Sequence, residues 1–149
     1  MTCFYQTCCM CGPRAIAAED IAPLLLSLDR ELGWLISQDT ALFRVCLRPG
    51  FDTFSALTVI NHKRLNPYVE LEVIDCGGSS EPEVREFILA HADRITEMKG
   101  SPRSAVAEYL TGGCTCLLHA KGESNSNADF TVEVCELAHS HGLVIVGAK

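Results

Sequence analysis

Between Ala41 and Asp75 the chain alternates apolar and polar positions in short runs, and these runs predict three successive strands. In ALFRVCLR (41–48), Phe43, Val45 and Leu47 take one face and Arg44, Cys46 and Arg48 the other. In YVELEVID (68–75), Val69, Leu71 and Val73 alternate with Tyr68, Glu70 and Glu72, the period of a sheet with one wet face. Between them TFSALTVI (53–60) is apolar on both faces, as in a central strand covered on both sides. Pro49-Gly50 supplies a turn, and the polar stretch Asn61 to Pro67 a second connection. The expectation is an antiparallel meander. If its strands are neighbours, Arg44 and Arg48 can pair across it with Glu70 and Glu72.

Helical spacing flanks this platform. Ile21, Leu24, Leu25, Leu28, Leu32, Leu35 and Ile36 form one stripe over Asp20–Ser37, with Leu26 and Trp34 off it. Ser80 and Glu83 make a capping box ahead of Val84, Phe87, Ile88, His91, Ile95 and Met98, which predicts one helix ending near Met98. Ser101-Pro102 opens a short helix stopped by Gly112-Gly113. Cys114–Lys121 reads as a strand, 122–127 as a polar loop, and the segment from Asn127 to His141 as a helix. Leu143–Val146 reads as a covered strand parallel to Cys114–Lys121. The fold class expected is α+β (mixed α/β): one five-stranded mixed sheet, a meander plus a C-terminal β-α-β, under about four helices. Residues 1–14 are set apart as a cysteine-rich tail, and 15–149 as a single domain.

Net charge is −7, which argues against nonspecific binding to nucleic acid, and no apolar run reaches the length of a membrane span. The first residues lack the charged-then-apolar layout of a secretion signal, so the nine cysteines are expected to be reduced thiols in the cytoplasm. No cofactor is expected.

Candidate chemistry is sparse. Cys3, Cys8, Cys9 and Cys11 invite a zinc site, although their spacing fits paired C-x₂₋₄-C ligands poorly. Cys76 follows a strand and precedes a helix start, where a helix dipole favours a thiolate; His119 or His62 is its potential base. His91 lies on the stripe of its helix and reads first as a core residue. On a strand Cys114 and Cys116 face one way and His119 the other, which denies them a common ligand or nucleophile set. Binding is placed on Leu26 and Trp34 and on Tyr68, Glu70 and Glu72.

With Asp52, Glu70 and Glu72 in its middle third, the order helix, three strands, helix, strand resembles the restriction-endonuclease-like nuclease core. That resemblance implies metal-binding carboxylates, but Val73-Ile74 follow Glu72 where the family's E-x-K motif needs a lysine. The function expected is a noncatalytic binding or interaction protein, immunity- or antitoxin-like, closing on a protein partner or on itself as a homodimer. The alternatives are a thiol-dependent enzyme using Cys76 and a degenerate nuclease-like fold.

Overall fold

A computed structural model describes residues 6–77, 81–120 and 129–148. Its elements are β1 (Gln6–Cys11), α1 (Ala18–Ser37), β2 (Thr40–Cys46), α2 (Phe51–Lys63), β3 (Glu70–Asp75) and α3 (Pro82–His91). β4 (Arg94–Glu97), α4 (Arg103–Thr111), β5 (Cys116–Ala120), α5 (Asp129–Ser140) and β6 (Val144–Ala148) follow. The six strands form one sheet in the order β4-β3-β2-β1-β5-β6, and every pairing is parallel.

This overturns the five-stranded mixed sheet. There is no meander: 53–60 lies inside α2, so β2 and β3 are joined by a helical crossover and run side by side in the same direction. Two features hid that helix. Its β-branched residues (Thr53, Thr58, Val59, Ile60) favour strands in isolation, a weak preference that packing overrides. It also lies between α1 and α3, buried along Phe51, Ser55, Ala56, Thr58, Val59 and Ile60, so it lacks the broad polar face of a surface helix. Thr58 turns its hydroxyl back to the Phe54 carbonyl (2.7 Å), which lets a polar side chain sit in that packed surface.

Two further corrections follow. Gln6–Cys11, expected within a tail, is the strand between β2 and β5, with Cys8, Cys9, Met10 and Cys11 fully buried. Cysteine there behaves as a small apolar residue. The helix expected to reach Met98 stops at His91; Asp93 accepts the Leu71 amide (2.8 Å), and the chain turns into edge strand β4. The capping serine proposed for that helix, Ser80, lies outside the described residues, as do Lys121, the loop 122–127 with its capping Asn127, and Cys3.

Crossover handedness decides which face each helix covers. α1, α2 and α3 connect strands that step one way across the sheet and pack on one face, around Phe43, Val45, Leu71, Val73 and Leu118. From edge strand β4 the chain returns through α4 to β5, and α4 and α5 pack on the other face around Cys9, Ile74, Leu110, Leu117 and Val134. Right-handed crossovers require that change of face when the direction of progression reverses. The result is a doubly wound α/β sheet, and its reversal falls between β1 and β5.

Candidate functional site

In a parallel sheet each strand leads through a loop to the start of a helix, so the carboxyl ends of the strands and the amino ends of the helices share one edge. Ligands of doubly wound sheets bind at that edge, where the strand order reverses. Here that place is the mouth between β1 and β5, where Cys11 lies opposite His119 in register.

The floor of the mouth is one connected group. The Gly12 amide donates to Asp52 Oδ1 (3.2 Å). Arg48 meets Asp52 Oδ2 and Cys11 Sγ through the same Nη1, at 3.4 Å and 3.5 Å, and its guanidinium lies 4.6 Å from the ring centre of Phe130. The Cys11 thiol donates to the Thr131 hydroxyl (3.7 Å), which donates to the Gly12 carbonyl (3.2 Å). The loops after β1 and β2 and the first turn of α5 are thereby tied together across both faces of the sheet. Gly12 has no alternative here, because a Cβ would sit 2.3 Å from Cγ of Phe51.

Both charges are buried: Arg48 is 7% exposed and Asp52 1%. Burial pushes the Asp52 carboxyl up to about 7, against the opposing pull of Arg48 and the Gly12 amide. Burial, with the Asp52 carboxylate nearby, also raises the Cys11 thiol, so Cys11 stays protonated at neutral pH. Beside it the Cys46 thiol is raised first by its hydrogen bond to Cys76 and then by burial, which makes Cys46 the proton donor of that pair.

At the other edge lies a second polar cluster. Arg44 Nε and Glu72 Oε1 meet at 2.9 Å between β2 and β3, and Thr96 and Tyr109 also donate to Glu72. Burial pushes the Glu72 carboxyl up, but the bonds from Tyr109, Arg44 and Thr96 outweigh it and hold it below the usual range. The face carrying Glu72 is therefore not the wet face expected, because α4 covers it and Glu72 is 2% exposed. Arg44 Nη1 caps the carboxyl end of α4, reaching the carbonyls of Tyr109, Leu110 and Gly112 at 3.0, 3.2 and 2.7 Å. Changing Glu72 to glutamine is expected to cost about 1.5–3 kcal/mol, the worth of hydrogen bonds to a charged group. In thermal unfolding that is a fall on the order of 5–10 °C; an unchanged midpoint would show the cluster to be dispensable.

The other sequence-derived candidates are dispersed. Cys76 is half-buried at the end of β3, whereas His119 is on β5, three strand spacings of roughly 4.8 Å away. His62 lies on α2 against Asp29 of α1. His91, expected inside, is exposed at the end of α3, its Nδ1 2.9 Å from the Phe87 carbonyl. Cys8 faces the α1–α3 side of the sheet and Cys9 and Cys11 the opposite side, so the three do not converge. Among the described residues no group of three or more histidines, cysteines and carboxylates could hold a metal ion. Asp52 is at the carboxyl edge, Glu72 is bound to Arg44, and Glu70 is held by Arg94 (3.2 Å), so the carboxylates of the nuclease resemblance are not assembled. The all-parallel sheet also lacks the meander on which that resemblance rests.

Leu26 and Trp34 are exposed on the outer face of α1, and Tyr68 is exposed just before β3. Trp34 lines a groove of about 460 Å³ with Arg30, Glu31, Ile145 and Val146, where α1 passes edge strand β6. No described helix is long and apolar enough to cross a membrane.

The sequence reading named Cys11, Arg48 and Asp52 in other roles but did not bring them together at the switch point, although a signal was present. An apolar run followed by Gly-Pro-Arg and an amphipathic helix (CCMCGPRA), and the parallel LRPGFD, are both strand-loop-helix junctions. No protein-family model matches this chain, and neither does any curated protein.

Proposed function

We propose that this chain is a noncatalytic binding domain that takes a small anionic ligand, with nucleotides the first class to test, in the mouth between β1 and β5. The observation that carries this reading is the reversal of strand order at β1 and β5, directly above the buried Arg48–Asp52 pair. Its warrant is architectural: the doubly wound sheet sets where a ligand sits, while the surrounding groups set its charge. Ala17, the N-cap of α1, gives no side-chain cap, so apart from the Asp20 amide, which donates to the Ala17 carbonyl (2.9 Å), the first amides of the helix are left for an acceptor from outside. Arg14, exposed in the loop after β1, adds a positive charge at the same rim.

The test is thermal unfolding of the full chain with inorganic phosphate, mononucleotides and a dinucleotide. A ligand at 100 times its Kd adds about 2.7 kcal/mol, a rise on the order of 5–10 °C. Arg14→Ala is expected to weaken that rise. A panel without effect, or a rise indifferent to Arg14→Ala, removes the reading.

Self-association is a second reading, and a specific observation favours it. Edge strand β6, read from sequence as covered, exposes Val144 and Ile145, and Ile145 lines one groove with Trp34. A two-fold axis at β6 would pair two copies antiparallel and extend the sheet to twelve strands. Sedimentation velocity is expected to show a dimer that Trp34→Glu converts to monomer; a strict monomer at high concentration ends this reading.

A further inference from the structure

A second concavity lies between α2 and α3. Helical spacing builds it: Leu57, Ile60 and Asn61 share one face of α2, and the C-cap Arg64 continues that face. Phe87 and His91 stand one turn apart on α3. The cleft has a volume of about 540 Å³, inside the range of roughly 300–1,000 Å³ of small-molecule sites. Because every strand is parallel, the carboxyl ends of α2 and α3 gather at the sheet edge opposite the mouth between β1 and β5.

The spacing of the two helices is fixed by Lys63, whose Nζ reaches the His91 carbonyl (2.7 Å) and Asp93 Oδ2 (2.6 Å). Asp93 also accepts the Leu71 amide, which ties this clamp to the sheet. The clamp engages the Lys63 charge and leaves that of Arg64, which is exposed and pairs with no carboxylate among the described residues. Arg64 is not needed to cap α2 either. The Asn61 carbonyl accepts the Arg64 amide (3.3 Å), and the His62 carbonyl accepts those of Leu65 and Asn66 (3.1 and 3.0 Å). Across the cleft Phe87 is 46% exposed, turned outward while its neighbour Ile88 is buried. His91 Nδ1 donates to the Phe87 carbonyl (2.9 Å), and the two rings sit with centres 4.3 Å apart at 35°. Two aromatic faces, an aliphatic surface from Leu57 and Ile60, and an unpaired guanidinium thus border one space.

We propose that this cleft binds a small planar aromatic carboxylate, at a site separate from the mouth between β1 and β5. The ring of the ligand lies against Phe87 and His91 and covers Leu57 and Ile60. Its carboxylate meets Arg64, whose planar fork matches two oxygens at once. The Asn61 side-chain amide, without a partner among the described residues, supplies a further donor. Charge sets the sign of the ligand. Asp93 is already neutralised by Lys63, so the cation left over at the cleft is Arg64, and a positively charged ligand would be repelled. The paired rings set its shape, because offset and edge-on contacts between rings add to the gain from buried area and an aliphatic acid cannot make them.

The experiment titrates the full chain, labelled with nitrogen-15, with 2-naphthoate at low salt and follows the backbone amide resonances. Shifts are expected at Asn61, Arg64, Phe87 and His91, with a Kd on the order of 1 mM or tighter for a ligand of this size. Arg64→Met is expected to weaken binding about three- to tenfold, and added salt to weaken it further. Phe87→Leu keeps the apolar bulk but removes the aromatic face, and is expected to cost about two- to tenfold. Both side chains are exposed, and an unchanged amide spectrum outside the cleft confirms that each variant is folded. Two probes test the class: 2-naphthalenemethanol, which lacks the charge, and decanoate, which lacks the ring, are both expected to bind more weakly. Either probe binding as tightly as naphthoate, or indifference to Arg64→Met, overturns the proposal. So does the absence of shifts at millimolar naphthoate. Shifts confined to Gly12, Arg48 and Phe51 also overturn it, since they would place the ligand at the mouth instead.

Discussion

Replacing Arg48 with methionine is expected to lower stability at pH 8 by about 3–5 kcal/mol, because it removes one partner of a buried charge pair and strands the other. Asp52 has little else to lean on: its carboxylate is 1% exposed, and apart from Arg48 its nearest donor is the Gly12 amide. Methionine fills similar volume against Phe130, so the loss is electrostatic rather than a cavity. The same group makes the native protein pH-dependent in an unusual direction. Asp52 titrates at about 7 when folded against an ordinary 3.8, so folding takes up a proton between those values. Its contribution is full below pH 3.8 and is lost as pH rises through 7. At one pKa unit per 1.36 kcal/mol, raising pH from 5 to 8 is expected to cost about 2–3 kcal/mol. Glu72 and Asp75, both held below their ordinary range, lose stability only in more acidic solution, so they do not mask this window. Urea unfolding between pH 5 and 8 measures it. Asp52→Asn is expected to flatten the slope, and Arg48→Met to cost far less at pH 5 than at pH 8. A slope that survives Asp52→Asn would show that another group carries it.

Much of the local structure was legible because it is local. The stripe of Leu24, Leu28, Leu32 and Leu35 makes a helix under any reading, since one face repeats for about three turns. The sheet's topology was not legible, and the reason lies in two segments. Cys8 to Cys11 carry no β-branched residue and read as part of a cysteine-rich tail, yet they are the strand between β2 and β5. Thr53 to Ile60 carry strand-forming residues and fold as a helix because α1, α3 and the sheet enclose them. Exchanging those two identities converts a meander into a doubly wound sheet. Glu72 misled for a related reason: alternation marks a polar face but does not reveal that Arg44, Thr96 and Tyr109 satisfy it beneath a helix. The Arg44–Glu72 pair itself is formed across β2 and β3, because side-by-side register brings the two residues opposite in a parallel pair.

The switch-point floor depends on backbone geometry that no charge pattern records, and Gly50 is where this is most exposed. Its φ of 82° and ψ of −132° lie in a region open essentially to glycine alone. A Cβ there would stand 2.4 Å from both the carbonyl carbon and the oxygen of Arg14, and 2.5 Å from the Pro13 oxygen. Those are backbone atoms, so no rotamer change relieves the overlap. The β1–α1 loop would have to move away, breaking the bond from the Phe51 amide to the Pro13 carbonyl (2.9 Å) and pulling the Gly12 amide off Asp52. Gly50→Ala is therefore expected to cost about 3 kcal/mol or more, from about 1–3 kcal/mol of backbone strain plus the lost bonds. For a chain of this size that is a fall in Tm of roughly 6–12 °C. Gly113→Ala is the control, since its φ is also positive (73°) but nothing lies within 4 Å of the added carbon. It should cost about 1–2 kcal/mol, the left-handed penalty alone. If the two substitutions proved equal, the loops after β1 and β2 would not be locked together, and the rigidity assigned to the mouth between β1 and β5 would be lost with that lock.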